Sequence, residues 1–229
     1  MLFNSWQFAV FFPTVVFIYF SLPHKFRWGF LLASSCLFYM VLIPKYILIL
    51  AIAIIIDYAA GIFIERSNKE KIRKIILIIS ICSTCLLLFI FKYIDFFSSN
   101  INQFATLINW NYSMQTLNLI LPIGLSFHTF QSLSYVIEVY KKKQKAEYNL
   151  GIYALYVMFF PQLVAGPIER PQNLLHQFYE KHNFDYQKIT SGLRLMAFGF
   201  FKKLVIADRL ALIANPIFNE PHKFEGHGL

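Results

Sequence analysis

The sequence predicts an all-α polytopic membrane protein with about six to seven transmembrane or re-entrant helices, and three observations carry that prediction. Hydrophobic residues make up 57% of the 229 and charged residues only 14%, with a mean hydropathy of +0.53; soluble domains are far more polar. The apolar residues fall in runs that can cross, or nearly cross, about 30 Å of hydrocarbon. Basic residues gather in alternate gaps between those runs, as loops retained on the cytoplasmic side do.

The first run, roughly Trp6 to Leu22, has no Lys or Arg before Lys25 and no small-residue cleavage site. It is read as a retained helix rather than a signal peptide that is removed. Runs near Trp28 to Ile43, Tyr46 to Ile64, Ile75 to Phe97 and Leu119 to Tyr140 follow. The runs from Trp6 to Leu22 and from Trp28 to Ile43 are short, so tilt or local thinning is expected there. Lys25 and Arg27 occupy the first gap, Lys45 the second, and Arg66, Lys69, Lys71, Arg73 and Lys74 the third. The fourth gap carries no charge, and the fifth holds Lys141, Lys142, Lys143 and Lys145. Eleven cations on one side against one on the other place the odd gaps inside and the N-terminus outside. The uncharged stretch from Ser98 to Thr116 contains Trp110 and Tyr112, which suit a helix lying at the outer interface.

Beyond Lys145 the pattern is irregular. Leu150 to Gly166 is marginally long enough to cross, carries Pro161, and ends in Gly166-Pro167, a pair that stops helices. The segment FFPQLVAGPIERP reads either as a re-entrant or kinked element lining a cavity or as a short helix ending in a turn. A helix from Ile189 to Ala207 follows. No fixed-period repeat, low-complexity tract or soluble domain interrupts residues 1–229, which read as a single membrane domain.

The formal charge of +9 belongs to loops of this kind rather than to a nucleic-acid surface, so no nucleic-acid partner is expected. Cys36, Cys82 and Cys85 lie in apolar runs. The Cys82–Cys85 pair reads as two small packed residues one turn apart, not as a redox or metal site, and no metal is expected. Asp57 is expected to pair with a basic loop residue near the inner end of its helix. Lys92 is expected to pair with Asp95, three residues on, at the interface. His128 and Gln131 share a helical face and are candidates to line an internal cavity. Glu138 is assigned to the Lys141–Lys145 run. Lys202 and Asp208 lie within two turns, so Lys202, Lys203, Asp208 and Arg209 read either as an interfacial ion-pair lattice or as a basic wall for an anionic substrate. No Gly-rich phosphate loop, zinc spacing, nucleophile elbow or paired-carboxylate arrangement occurs.

Three motifs in order, LPIGLSFHTFQSLSYVIEVYKKK, FFPQLVAGPIERP and GFFKKLVIADRLA, resemble the N-terminal half of the membrane-bound O-acyltransferase family. The nearest branch is that of alginate O-acetyltransferases and the D-alanyl transfer protein acting on teichoic acids. FYMVLIPKYILIL and LFIFKYIDFF match earlier helices of that branch, so the resemblance covers nearly the whole chain. At the position of His128, family members often carry another aromatic residue.

The resemblance implies a multi-pass protein of the bacterial inner membrane. The implied reaction moves an acyl group, usually acetyl, from a cytoplasmic thioester such as acetyl-CoA to hydroxyls of an extracytoplasmic polysaccharide or carrier. A periplasmic or cell-surface acyltransferase is an implied partner, and no bound cofactor is implied. His128, Gln131, Gln162, Glu169, Arg170, Lys202, Lys203, Asp208 and Arg209 are the candidate tunnel or substrate contacts. The family's general-base histidine follows a DFSGY-like motif; neither occurs in these residues, so the catalytic histidine is expected beyond Leu229. His222 and His227, in the polar tail, are not assigned that role. The competing expectation is a non-catalytic membrane scaffold or transporter-like partner of a cell-surface polysaccharide modification system.

Overall fold

The apolar runs fold as helices. A computed structural model describes residues 3–41, 44–108, 124–163 and 166–219, and no strand occurs among them. In chain order they are α1 (Trp6–Ser21), α2 (His24–Met40), α3 (Tyr46–Arg66), α4 (Glu70–Leu107), α5 (Leu125–Tyr140), α6 (Leu150–Met158), α7 (Pro171–Leu174), α8 (Tyr186–Phe201) and α9 (Asp208–Asn219). A 3-10 turn, Leu175–Phe178, continues α7, and a π-helical turn, Lys202–Ala207, joins α8 to α9. The expected interfacial residues Trp110 and Tyr112, together with His222 and His227, lie outside the described residues.

Local chemistry sets several helix starts. Ser5 accepts from the Phe8 amide at 3.3 Å to open α1, Asn149 accepts from Gly151 at 2.9 Å to open α6, and Asp185 accepts from Gln187 at 3.0 Å to open α8. Each satisfies an amide that the first helical turn leaves without an intrahelical partner. Pro13 inside α1 removes one ladder bond, as apolar spans allow.

Two compact units divide the chain, Met1–Lys181 and His182–Leu229. In the first, α3 is the hub: it packs on α2, α4, α5 and α6. Gly61 of α3 admits the Tyr135 ring so closely that a Cβ there would lie 2.7 Å from it. The fully buried rings of Tyr135 and Tyr153 meet at a tilt of 47°, with centroids 4.6 Å apart. At another level Phe8, Phe11, Phe38 and Phe160 join α1 and α2 to the segment after α6.

Among the described residues two helices, α3 and α4, are long and apolar enough to span a bilayer. With 38 residues, α4 extends to roughly 57 Å. Only 11% of its most apolar window is covered by protein, against 39% for α3, and Ile75, Ile79, Leu86 and Phe96 stand exposed. Such a face suits hydrocarbon around it. The all-α membrane class read from composition therefore stands.

Some boundaries differ from the expected ones. The run read as Leu150 to Gly166 stops being helical at Met158, because Pro161 and the Gly166-Pro167 pair lie ahead of it. The helix read as Ile189 to Ala207 starts at Tyr186, and helical backbone continues through the π-turn into α9 as far as Asn219. All three cysteines are free thiols.

Candidate functional site

The site is built where the start of α5, the whole of α6 and the broken FFPQL segment converge. Gly124 caps α5 with φ +81°, a left-handed conformation open to glycine. A Cβ there would sit 2.4 Å from the Leu163 carbonyl oxygen and 3.3 Å from His128 Nε2. This close approach brings α5 against the turn that follows α6. Phe160 in that turn donates its amide to Ser35 Oγ of α2 at 3.2 Å, so the broken backbone is anchored on two sides.

Hydrogen bonds fix the polarity of the buried groups. His128 is 2% exposed, and its Nδ1 lies 2.9 Å from the Val157 carbonyl. A carbonyl only accepts, so Nδ1 carries the proton and the neutral ring presents Nε2 as an acceptor. Gln131 is fully buried; its Oε1 accepts from the Glu169 amide at 3.1 Å, which leaves Nε2 as a donor. Tyr156 donates to the Glu169 carbonyl at 2.8 Å. Together these bonds hold the backbone on both sides of Glu169.

Six polar side-chain atoms remain buried and unpartnered among the described residues, and four of them, His128 Nε2, Gln131 Nε2, Gln162 Oε1 and Tyr153 Oη, belong to α5, α6 and the broken segment; the other two are His24 Nδ1 and Gln172 Oε1. Native interiors rarely leave such groups unmatched, and each one marks a place for water or a ligand. The set offers both acceptors and donors, the complement of an ester or thioester carbonyl and a hydroxyl.

The sequence candidates divide between two groups. His128, Gln131, Gln162 and Glu169 all lie in the first unit, where Gln131 meets the Glu169 backbone and His128 and Leu163, next to Gln162, both approach Gly124. The Glu169 carboxylate instead turns to Asn173 at 3.3 Å, and Arg170 is exposed at the start of α7. Lys202, Lys203, Asp208 and Arg209 belong to the second unit. There Lys203, not Lys202, pairs with Asp208, because a π-turn brings residues five apart onto one face. Lys202 lies 4.4 Å from the Phe198 ring centroid and Arg209 is exposed.

Other expected pairings are replaced by hydrogen bonds. Asp57 is fully buried at mid-helix, where α4 supplies two hydroxyls: Ser80 donates to it at 2.6 Å and Thr84 at 3.0 Å. No cation pairs with it among the described residues. Lys92 lies over the Tyr93 ring at 5.3 Å. Glu138 accepts from Gln172 Nε2 at 2.6 Å rather than pairing with the lysine run. Sequence reasoning missed the tyrosines of α5 and α6 and the Ser80/Thr84 partners. An i, i+4 pair of hydroxyl residues in an otherwise apolar helix was the available signal. Outside the spans, burial and a hydrogen bond to Glu147 at 2.8 Å raise the Tyr179 phenol above its ordinary range, so it stays a donor.

Comparison with known proteins places this arrangement in a family. The chain is 32% identical to a peptidoglycan O-acetyltransferase of Helicobacter pylori over 91% of its own length and 46% of the relative's. It is 33% identical to the probable alginate O-acetylase AlgI of Pseudomonas aeruginosa, over 95% of its own length and 42% of the relative's. The chain belongs to the membrane-bound O-acyltransferase family. A more distant family likeness, 28% identity over 38% of the chain, is to the teichoic acid D-alanyltransferase of Streptococcus thermophilus, where 21% of the relative is covered. The chain thus spans a little under half the length of the first two O-acyltransferases. No family model matches the chain, and no solved structure matches it. Both family membership and the uncovered apolar faces make it a membrane protein.

Proposed function

We propose that this chain forms the donor-side scaffold of a membrane-bound O-acyltransferase that moves an acyl group, usually acetyl, from a cytoplasmic thioester such as acetyl-CoA to hydroxyls of an extracytoplasmic polysaccharide or carrier. The observation that carries the reading is sequence identity to two O-acetyltransferases along 91% and 95% of the chain. The reading assigns the protein to a bacterial inner membrane with several passes, its cationic loops facing the cytoplasm. A periplasmic or cell-surface acyltransferase is the proposed partner for delivery to the polymer.

In this reading the unpartnered atoms around α5 and α6 flank the passage of the acyl thioester. Gln131 Nε2 and the Tyr153 hydroxyl donate toward a carbonyl oxygen, and burial away from water strengthens such contacts. His128 Nε2 and Gln162 Oε1 accept from a hydroxyl or amide of the passing group. These residues bind and orient; the proton transfer from the accepting hydroxyl lies with the general base implied by the family resemblance.

The test is the O-acetyl content of cell-surface polymers, measured by proton NMR and by ester release, in a source strain lacking the gene. Loss of acetyl esters in that strain, with recovery on complementation, is the expected result. Unchanged acetylation of every surface polymer would remove the acyl-transfer reading.

A further inference from the structure

Where α3 hands over to α4, and α5 ends, two loops enclose a cavity of about 310 Å³. Arg73, Lys142 and Lys145 line it, together with the polar side chains Ser67, Asn68 and Gln144. One carboxylate, Glu65, shares the lining, but it accepts from the Tyr148 hydroxyl at 2.9 Å. No ion pair links it to any of the three cations among the described residues. Three cations against one carboxylate leave the lining with a surplus of positive charge.

Three further features point the same way. Arg73 is largely buried and is held in place by Nη2 bonds to the carbonyls of Val139, at 3.5 Å, and Tyr140; its Nε and Nη1 donors are left over. Lys69, the residue before α4, makes no side-chain cap. First-turn amides and the positive end of a 38-residue helix thus stand beside Ser67 and Asn68. Lys142 has φ +58° and is the one described non-glycine residue in the left-handed region. Its amide closes α5 on the Val139 carbonyl at 3.0 Å, at a position where glycine is the residue usually found. A lysine held in a conformation that favours glycine thus adds its charge to the residues that line the cavity.

We infer that this cavity binds a phosphate-bearing anion, supplied either as the headgroup of an anionic membrane lipid or as a soluble phosphate. Its volume equals that of roughly ten waters, ample for a phosphate and its ester substituents. Arginine presents a planar donor fork to phosphate oxygens, and lysines add mobile point charges. Cationic pockets at the ends of membrane helices recognise lipid headgroups by this chemistry. The inference stands apart from acyl transfer and uses none of the buried groups around His128.

The test uses the full chain in nanodiscs containing phosphatidylglycerol and phosphatidylcholine, with the lipids retained after release read by native mass spectrometry. Wild type is expected to retain phosphatidylglycerol preferentially, and the Lys142→Gln/Lys145→Gln variant about ten-fold less of it, having lost two charges near the headgroups. Lys142→Gly removes one charge while relaxing the backbone, so reduced lipid retention with an undiminished Tm separates binding from folding. A thermal-shift series with inorganic phosphate distinguishes the sources. Stabilisation by phosphate that the double variant loses, without lipid preference, assigns the site to a soluble phosphate. Equal retention of both lipids together with no phosphate stabilisation overturns the site, as does a double variant indistinguishable from wild type in both assays.

Discussion

The amide of Glu169 donates to Gln131 Oε1 across 3.1 Å, tying the non-helical segment after α6 to the buried face of α5. Replacing Gln131 with Met keeps the volume but leaves that amide without its acceptor. A buried unsatisfied amide costs about 1–3 kcal/mol, so Gln131→Met is expected to lower Tm, whereas Gln131→Glu, which keeps the acceptor, lowers it less. Thermal unfolding of the three proteins in one detergent gives the order. Equal Tm values for Met and Glu would mean that the bond does not hold the segment.

Gly124→Ala tests the close approach of α5 to Leu163. The left-handed φ and a contact of 2.4 Å with a backbone oxygen act together, and a cost of at least about 2 kcal/mol is expected. The same substitution at Gly192, where a Cβ meets nothing within 4 Å, serves as the control. Comparable yield and Tm for both variants would contradict the geometry.

Asp57 offers a test of hydrogen bonding against ion pairing. Asp57→Asn retains an oxygen for Ser80 and Thr84, while Asp57→Ala strips it away. Because Thr84 also donates to the Ser80 carbonyl at 2.9 Å, Ser80 bears most of the loss, about 1–3 kcal/mol. Alanine is therefore expected to destabilise more than asparagine, and added salt to leave the difference unchanged. A difference that shrinks with ionic strength would reveal a charged partner.

In the second unit a double-mutant cycle on Lys203 and Asp208 is expected to give a coupling of about 0.2–1 kcal/mol, the range of exposed pairs. The cycle on Lys202 and Asp208 should give none. Reversal of that order would replace the π-turn with ordinary helical spacing.

The membrane class was legible because it rests on composition and run length, which survive any detail of packing. The starts of α1 and α6 fall at the expected Trp6 and Leu150, whereas α8, capped by Asp185, starts three residues before the expected Ile189, and α6 ends at Met158, well before the expected Gly166. The partners of Asp57, Glu138 and Lys203 were not legible. Each depends on which helix face meets which neighbour, or on a one-residue change of helical pitch, and charge spacing along the chain carries neither. His128 and Gln131 were recognised as one face by their three-residue spacing. That the Glu169 amide meets Gln131 depends on a tertiary contact 38 residues away in sequence, beyond any local rule.

The nine residues of α6 rise roughly 14 Å, less than half of a hydrocarbon layer of about 30 Å. The described residues that follow it as far as Arg170 are not helical, so their amides and carbonyls take partners other than a helical ladder. The electrostatic work of carrying a polar group inward scales with the thickness of low-dielectric material around its path. A helix that stops halfway therefore shortens the insulating layer locally without thinning the bilayer elsewhere.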